Sequence, residues 1–209
     1  QIALDYVDLN KKVFPTEGVK FGLSVSHFYG DESFEPGSTS EMGLNQVSHN
    51  WIQFAAEFEQ YYPLKYGDIG FSITAKGSNI KAFSNYRATI LNSPAYLPTF
   101  ESQGLFLENF RAPAFLAGGL KYQINLYKDF KLRVEGHAFK PVFEWNEVGE
   151  ETTRTGLIPD YHLSGMGALF YESQIGPISL SAHYYDDNSP FNYPELLKGK
   201  YFSYAELWR

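Results

Sequence analysis

With 209 residues, a net charge of −7 and no cysteine, the chain is long enough to bury one large core without disulfides, and a thiolate zinc site is excluded. The acidic balance argues against nucleic acid as a partner, and no apolar run approaches the ~20 residues of a membrane-spanning helix. Phe, Tyr and Gly number 18, 16 and 18, a mix typical of β proteins and of the aromatic girdles of membrane barrels.

A first strand of weak pattern covers 2–9, and 10–18 is a short turn region in which Pro15 fixes φ and Gly18 can take φ > 0. The stretch 19–29 alternates with period two. Val19, Phe21, Leu23 and Val25 point one way, and Lys20, Gly22, Ser24 and Ser26 the other. A polar loop follows at 30–50. The third strand, 51–62, sets Ile52, Phe54, Ala56 and Phe58 against Gln53, Glu57 and Glu59. After a tight turn at 63–68, the fourth strand, 69–76, sets Ile69, Phe71, Ile73 and Ala75 against Gly70, Ser72, Thr74 and Lys76. The long segment 77–113, with Pro94, Pro98 and Pro113, shows no clean alternation.

Regular alternation returns at 116–126, where Leu116, Leu120, Tyr122, Ile124 and Leu126 oppose Lys121, Gln123 and Asn125. A tight turn at 127–130 leads to the sixth strand, 131–143, in which Leu132, Val134 and Ala138 oppose Arg133, Glu135 and His137. A polar loop at 146–160, a seventh strand at 162–172, a turn at 173–177 and an eighth strand at 178–185 follow. A loop at 186–198 and a last strand at 199–208 complete the chain.

One greasy face and one wet face suit two architectures: a barrel wall with lipid outside and a polar lumen within, or a sandwich with a core inside and water outside. The connections alternate short and long, which favours the barrel, since outer-membrane barrels place tight turns at one end and long loops at the other. The predicted fold is therefore all-β, a single transmembrane antiparallel barrel domain with about 8–10 strands in this chain and long external loops near 30–50, 77–113, 146–160 and 186–198. An odd count of about nine, with the first strand starting outside, makes the chain the C-terminal part of a larger barrel of roughly 16 strands. A further strand at 103–110 would instead restore an even count. The start at Gln1, without basic or apolar leader regions, fits a mature chain or a piece of a longer one.

The turn Phe14-Pro15-Thr16-Glu17-Gly18, then Glu108-Asn109-Phe110 and Ala117-Gly118-Gly119, together with the stretch 165–185 and its Ile-Gly-Pro turn, resemble the C-terminal barrel of the bacterial surface antigen superfamily, which includes BAM-type assembly factors. Within it the segments 83–99, 105–120 and 176–187 most resemble the barrel of Bacteroidetes-type patatin-like phospholipases. The resemblance implies a barrel in the outer membrane of a Gram-negative, Bacteroidetes-type bacterium. This barrel would anchor or serve a patatin-like phospholipase whose catalytic domain lies upstream. The implied partners are outer-membrane lipid and further barrel strands, a periplasmic domain or a homodimer mate. An assembly or translocation barrel without hydrolase activity is the alternative, and a soluble β-sandwich binding module the second. The assembly factors' Val-Arg-Gly-aromatic motif is replaced by Asn109-Phe110-Arg111-Ala112, and 192–209 runs past the family's terminal aromatic.

The chemistry written in the chain is sparse. No Gly-x-Ser-x-Gly elbow occurs, so this chain carries no catalytic motif. No cofactor or metal is expected. Ser48 and His49 are adjacent and therefore point to opposite faces of a strand, which separates nucleophile from base. His27, His137 and His183 fall singly on the polar faces or at strand ends. Asp186-Asp187-Asn188 has calcium-ligand chemistry but reads as a solvated loop. The lumen-lining candidates are Glu57, Glu59, Lys76, Arg111, Lys121, Arg133, Glu135 and His137, and their mixed sign fits paired charges rather than a one-sign selectivity ring. The lipid-facing candidates are Val19, Phe21, Leu23, Val25, Phe54, Phe58, Phe71, Ile73, Leu120, Ile124 and Leu180. Trp51, Tyr61, Tyr62, Tyr127 and Tyr171 lie near strand ends, as an interface girdle requires.

Overall fold

The computed structural model describes residues 1–11, 14–35, 45–149, 151–155, 160–173, 176–186 and 200–207. Eleven strands form among the described residues: β1 (Ile2–Leu9), β2 (Gly18–Phe34), β3 (Asn45–Leu64), β4 (Gly67–Ser78), β5 (Ala114–Tyr127), β6 (Phe130–Phe143), β7 (Trp145–Val148), β8 (Glu151–Arg154), β9 (His162–Ser173), β10 (Gly176–Tyr185) and β11 (Lys200–Leu207). Nine of them make one antiparallel sheet in the order β1-β2-β3-β4-β5-β6-β9-β10-β11, and β7 and β8 pair as a separate hairpin. Neighbours in the sheet follow one another along the chain except where that hairpin is inserted; tight turns set the register of pairs such as β3 with β4 and β5 with β6, whereas β4 and β5 pair across the long segment 79–113.

The tight turns gather at one end of the sheet. Tyr127 pairs with Phe130 across a two-residue turn, and Lys128 there takes φ +47°, the left-handed conformation such turns demand. Gly18, at φ +114°, opens β2, and a Cβ there would lie 1.9 Å from the Asp8 carbonyl oxygen. No other residue fits that turn.

The sheet is open, which corrects the barrel expectation. Among the described residues β1 and β11 are its two edges and do not pair with one another, whereas a barrel closes only when its first and last strands hydrogen-bond with a consistent shear. Alternation and hairpin parity, the features that suggested a barrel, are local properties shared by any curved antiparallel meander. Closure is a global one that neither specifies. The transmembrane barrel and the larger 16-stranded assembly are overturned with it.

The sheet is nonetheless strongly curved. Phe14, in the turn before β2, stacks on Phe170 of β9 with ring centroids 4.6 Å apart, although β3, β4, β5 and β6 lie between those strands in the sheet. The concavity is filled by 79–113. That segment carries α1 (Tyr86–Asn92) and 3-10 turns at Glu101–Gly104 and Glu108–Phe110, so 103–110 is not a strand. Asn85 caps α1, its Oδ1 accepting the Ala88 amide at 2.8 Å.

Two apolar clusters join this inner segment to the wall. Tyr96, Leu107, Phe110 and Ala112 pack on Phe115, Ala117, Phe139 and Tyr185. Ile80, Ile90 and Trp145 form the second, with Trp51, Phe83 and Phe106 against it. The Trp145 indole donates to Ser93 Oγ at 2.9 Å, satisfying a buried polar atom that would otherwise cost ~1–3 kcal/mol. Both clusters sit toward the end of the long connections. The other half of the concave face is left for charged residues.

Candidate functional site

The charged wall follows from strand periodicity: inward positions on β3, β5 and β6 alternate with outward apolar ones. Lys121 donates to Glu59 Oε2 at 3.1 Å and to Tyr61 Oη at 3.0 Å. The Tyr61 hydroxyl in turn donates to the same Glu59 oxygen at 2.6 Å. Lys20 lies 3.6 Å from Glu57 and 3.8 Å from Glu59. Lys76 lies 3.8 Å from Glu57 and donates to the Ala95 carbonyl at 3.4 Å.

A second group is deeper. Arg133 donates through Nε to Glu135 Oε1, and His137 Nε2 is 3.0 Å from Glu135 Oε2. A carboxylate only accepts, so Nε2 carries the proton, and in the neutral ring Nδ1 accepts the Tyr96 hydroxyl at 3.1 Å. Two glycines make room for these side chains. A Cβ on Gly70 would meet the Tyr61 ring at 2.4 Å, and one on Gly119 would meet His137 Nδ1 at 2.1 Å.

The network holds its groups ionised. Burial pushes the Glu135 carboxyl up, but the His137 hydrogen bond and the Arg133 charge outweigh it and bring it down to about 2. Glu59 is also lowered, since Lys121 and the hydrogen bonds from Tyr61 and Lys121 overcome its burial. Burial works against the Lys121 ammonium, yet Tyr61, Glu135 and Glu59 raise its pKa above the usual lysine range. Burial raises the Tyr96 hydroxyl.

Beside this wall lie two adjoining cavities. The larger, about 750 Å³, has Lys20, Glu59, Tyr61, Lys121, Arg133 and Glu135 on its charged side, with Lys11 and Glu101 also at its lining, and Val7, Leu9, Phe14, Phe100 and Met166 among its apolar walls. The smaller, about 490 Å³, is polar and is lined by Glu57, Ser72, Thr74, Lys76, Tyr96 and His137 among others. Lys20, Glu59, Pro98 and Lys121 border both. Phe14 closes one end of the larger cavity in a strained backbone, φ +51°. Its ring lies against Phe170 and 5.1 Å below the Arg133 guanidinium. Asn10 holds that turn, its Oδ1 accepting the amides of Thr16 and Glu17 at 3.1 and 3.2 Å.

Seven of the eight lumen-lining candidates therefore meet on one face: Glu57, Glu59, Lys76, Lys121, Arg133, Glu135 and His137. Arg111 does not join them. It sits on the inner segment, where Nη1 donates to the Leu91 carbonyl at 3.0 Å and the guanidinium lies 5.3 Å over Phe106. The eleven apolar candidates lie on the convex face. Among them Val25, Phe54, Ile73, Leu120 and Leu180 are exposed, while Phe21, Phe58 and Phe71 are partly covered by their neighbours.

Tyr61 is no girdle residue. It is 4% exposed and faces the charged wall, as its two-residue spacing from Glu59 could have indicated. Lys20 and Tyr96 were also missed as site residues. Lys20 could have been found from its place on the polar face of β2, whereas only the fold brings Tyr96 to His137.

Ser48 and His49 diverge as their adjacency requires. Ser48 donates to Asp31 at 2.6 Å, and His49 lies 2.8 Å from Glu32. His27 bonds Asn50 at 2.6 Å, and His183 approaches Ser181 Oγ at 2.9 Å and Glu101 at 3.3 Å. Asp186 lies 3.7 Å from His162; 187 and 188 lie outside the described residues. Among the described residues no three His, Asp or Glu side chains converge as a metal site.

No protein-family model, curated protein or solved structure matches the chain. With the sheet open, this overturns the resemblance to the surface antigen superfamily, the patatin-like phospholipase and assembly-factor functions drawn from it, and the outer-membrane location. Where described, the segments that carried the resemblance are strand, turn, 3-10 and α1 sequences whose Gly, Pro and aromatic residues serve hairpins and the inner aromatic cluster here. Such residues recur wherever a curved sheet turns tightly or packs rings.

Proposed function

We propose that this protein is a binding module that takes a small ligand into the concave face of its open sheet. The observation that carries this is the cavity of about 750 Å³ with apolar walls beside a charged network that is already ordered. Ligand sites have this size and this division of labour: apolar surface supplies affinity and a few fixed polar groups supply orientation. The network contributes pre-organisation, since Lys121, Tyr61 and Glu59 constrain one another and lose little freedom on binding.

Thermal unfolding with a small-molecule panel, run on the wild type and on Ala168→Phe, tests the proposal. Ala168 is buried and lines the cavity, so a phenyl ring there occupies ligand space. A ligand at 100 times its Kd stabilises the wild type by about 2.7 kcal/mol, and the variant should lose that gain. Ligands that stabilise both proteins equally would place binding elsewhere and refute the proposal.

A further inference from the structure

We infer that the ligand is an amphiphilic monoanion, an apolar body ending in one carboxylate, with that carboxylate received by Lys20 and Lys121 where the two cavities meet. The inference rests on the cavity being the binding site. It comes from the charge count and the unused donors at that junction.

Three ammonium groups, Lys20, Lys76 and Lys121, share two carboxylates there, Glu57 and Glu59. The cluster carries one positive charge in excess. Neighbouring charges do not cancel it: Arg133 is matched by Glu135, and the remaining charged residues of the cavity lining, Lys11 and Glu101, are one of each sign. One more negative charge completes the set, and a second would reverse it.

The donors agree with the count. Lys121 has three N–H groups and uses two, on Glu59 and Tyr61. Lys20 reaches its carboxylates only at 3.6 and 3.8 Å, beyond hydrogen-bonding distance. Its donors can therefore turn to a ligand oxygen without breaking a bond. Both ammonium groups border the larger cavity, where Val7, Leu9, Phe14, Phe100 and Met166 offer an apolar surface for the rest of the molecule. An ammonium head would meet the excess of lysines and be repelled. An alcohol would gain a hydrogen bond but no charge.

Isothermal titration of dodecanoate, dodecanol and dodecylammonium, each below its micelle concentration, tests this on the wild type, Lys20→Met and Ala168→Phe. Dodecanoate should bind the wild type about tenfold or more tighter than dodecanol, the scale of one charge-assisted hydrogen bond. Lys20→Met should bring dodecanoate down to the level of dodecanol and leave dodecanol within about twofold, since the lost term is the charge. Dodecanol or dodecylammonium binding as tightly as dodecanoate would overturn the head-group assignment and leave the cavity reading standing. Dodecanoate binding that survives both substitutions would overturn the inference by placing the anion outside the cavity. Failure of all three compounds to bind would sink the cavity reading itself.

Discussion

At the scale of single residues, the concave wall is governed by Glu135. Its carboxylate lies between Arg133 and His137, all three are buried, and His137 passes the contact on to Tyr96 of the inner segment. Removing one partner of a buried ion pair costs more than the pair contributes, because the remaining charge is stranded. Glu135→Ala should therefore lose about 3–5 kcal/mol at neutral pH, read from the denaturant midpoint. The pH dependence has a definite sign. The folded pKa of Glu135, about 2, lies below its ordinary 4.5, so the stabilisation is complete above the ordinary value and is lost as pH falls toward 2. Glu59 is lowered too and adds in the same direction. The gap between wild type and Glu135→Ala should narrow steadily below pH 5. A gap unchanged at pH 3 would mean that the carboxyl acts through shape alone.

At the scale of elements, strands and inner segment differ in how they were written. The strands were legible because period two shows wherever one face is apolar: Phe21, Leu23 and Val25 in β2 and Phe71 and Ile73 in β4 announce their register without any partner. The charged wall of the candidate site was legible by the same period, since Glu57 and Glu59 of β3, Lys121 of β5 and Arg133 and Glu135 of β6 alternate with the apolar residues of their own strands. The segment 79–113 was not, because its pattern belongs to no single period. Seven residues are too few to hold α1 by themselves, and what stabilises the segment is distant in sequence: Phe139 and Tyr185 for Phe110, Trp145 for Ile90.

Two substitutions separate these contributions. Asn85→Ala removes the helix cap and should cost about 1 kcal/mol, raising amide exchange over α1 roughly fivefold while sheet amides stay unchanged. Phe110→Ala, in a side chain with no exposure, should cost about 3–5 kcal/mol and lower the global unfolding midpoint, because its cluster ties the inner segment to β5, β6 and β10 at once. Equal and purely local effects from both would show that the inner segment is a surface loop rather than half of the core.

At the scale of the whole molecule, the open sheet leaves its apolar residues on the outside of the curve. Leu120 is 65% exposed, Leu180 55% and Ile73 50%, and adjacent strands align them: Phe71 faces Leu120, and Leu169 faces Leu180. The burial that holds the fold lies on the other side, between wall and inner segment, so the convex side chains contribute little to folding. That is also why the alternation could not distinguish architectures. It reports that two faces differ, and here the polar face is the covered one, which is the reverse of an ordinary sandwich. Leu180→Glu should accordingly change stability by no more than about 0.5 kcal/mol, the usual range for an exposed position. The same change should weaken self-association in sedimentation velocity, since a contiguous apolar face in water draws another such face to it. Leu120→Glu should behave alike, and the two effects on association should reinforce one another. A loss of several kcal/mol from Leu180→Glu alone would contradict this layout, because it would show that the convex face is packed inside the folded chain.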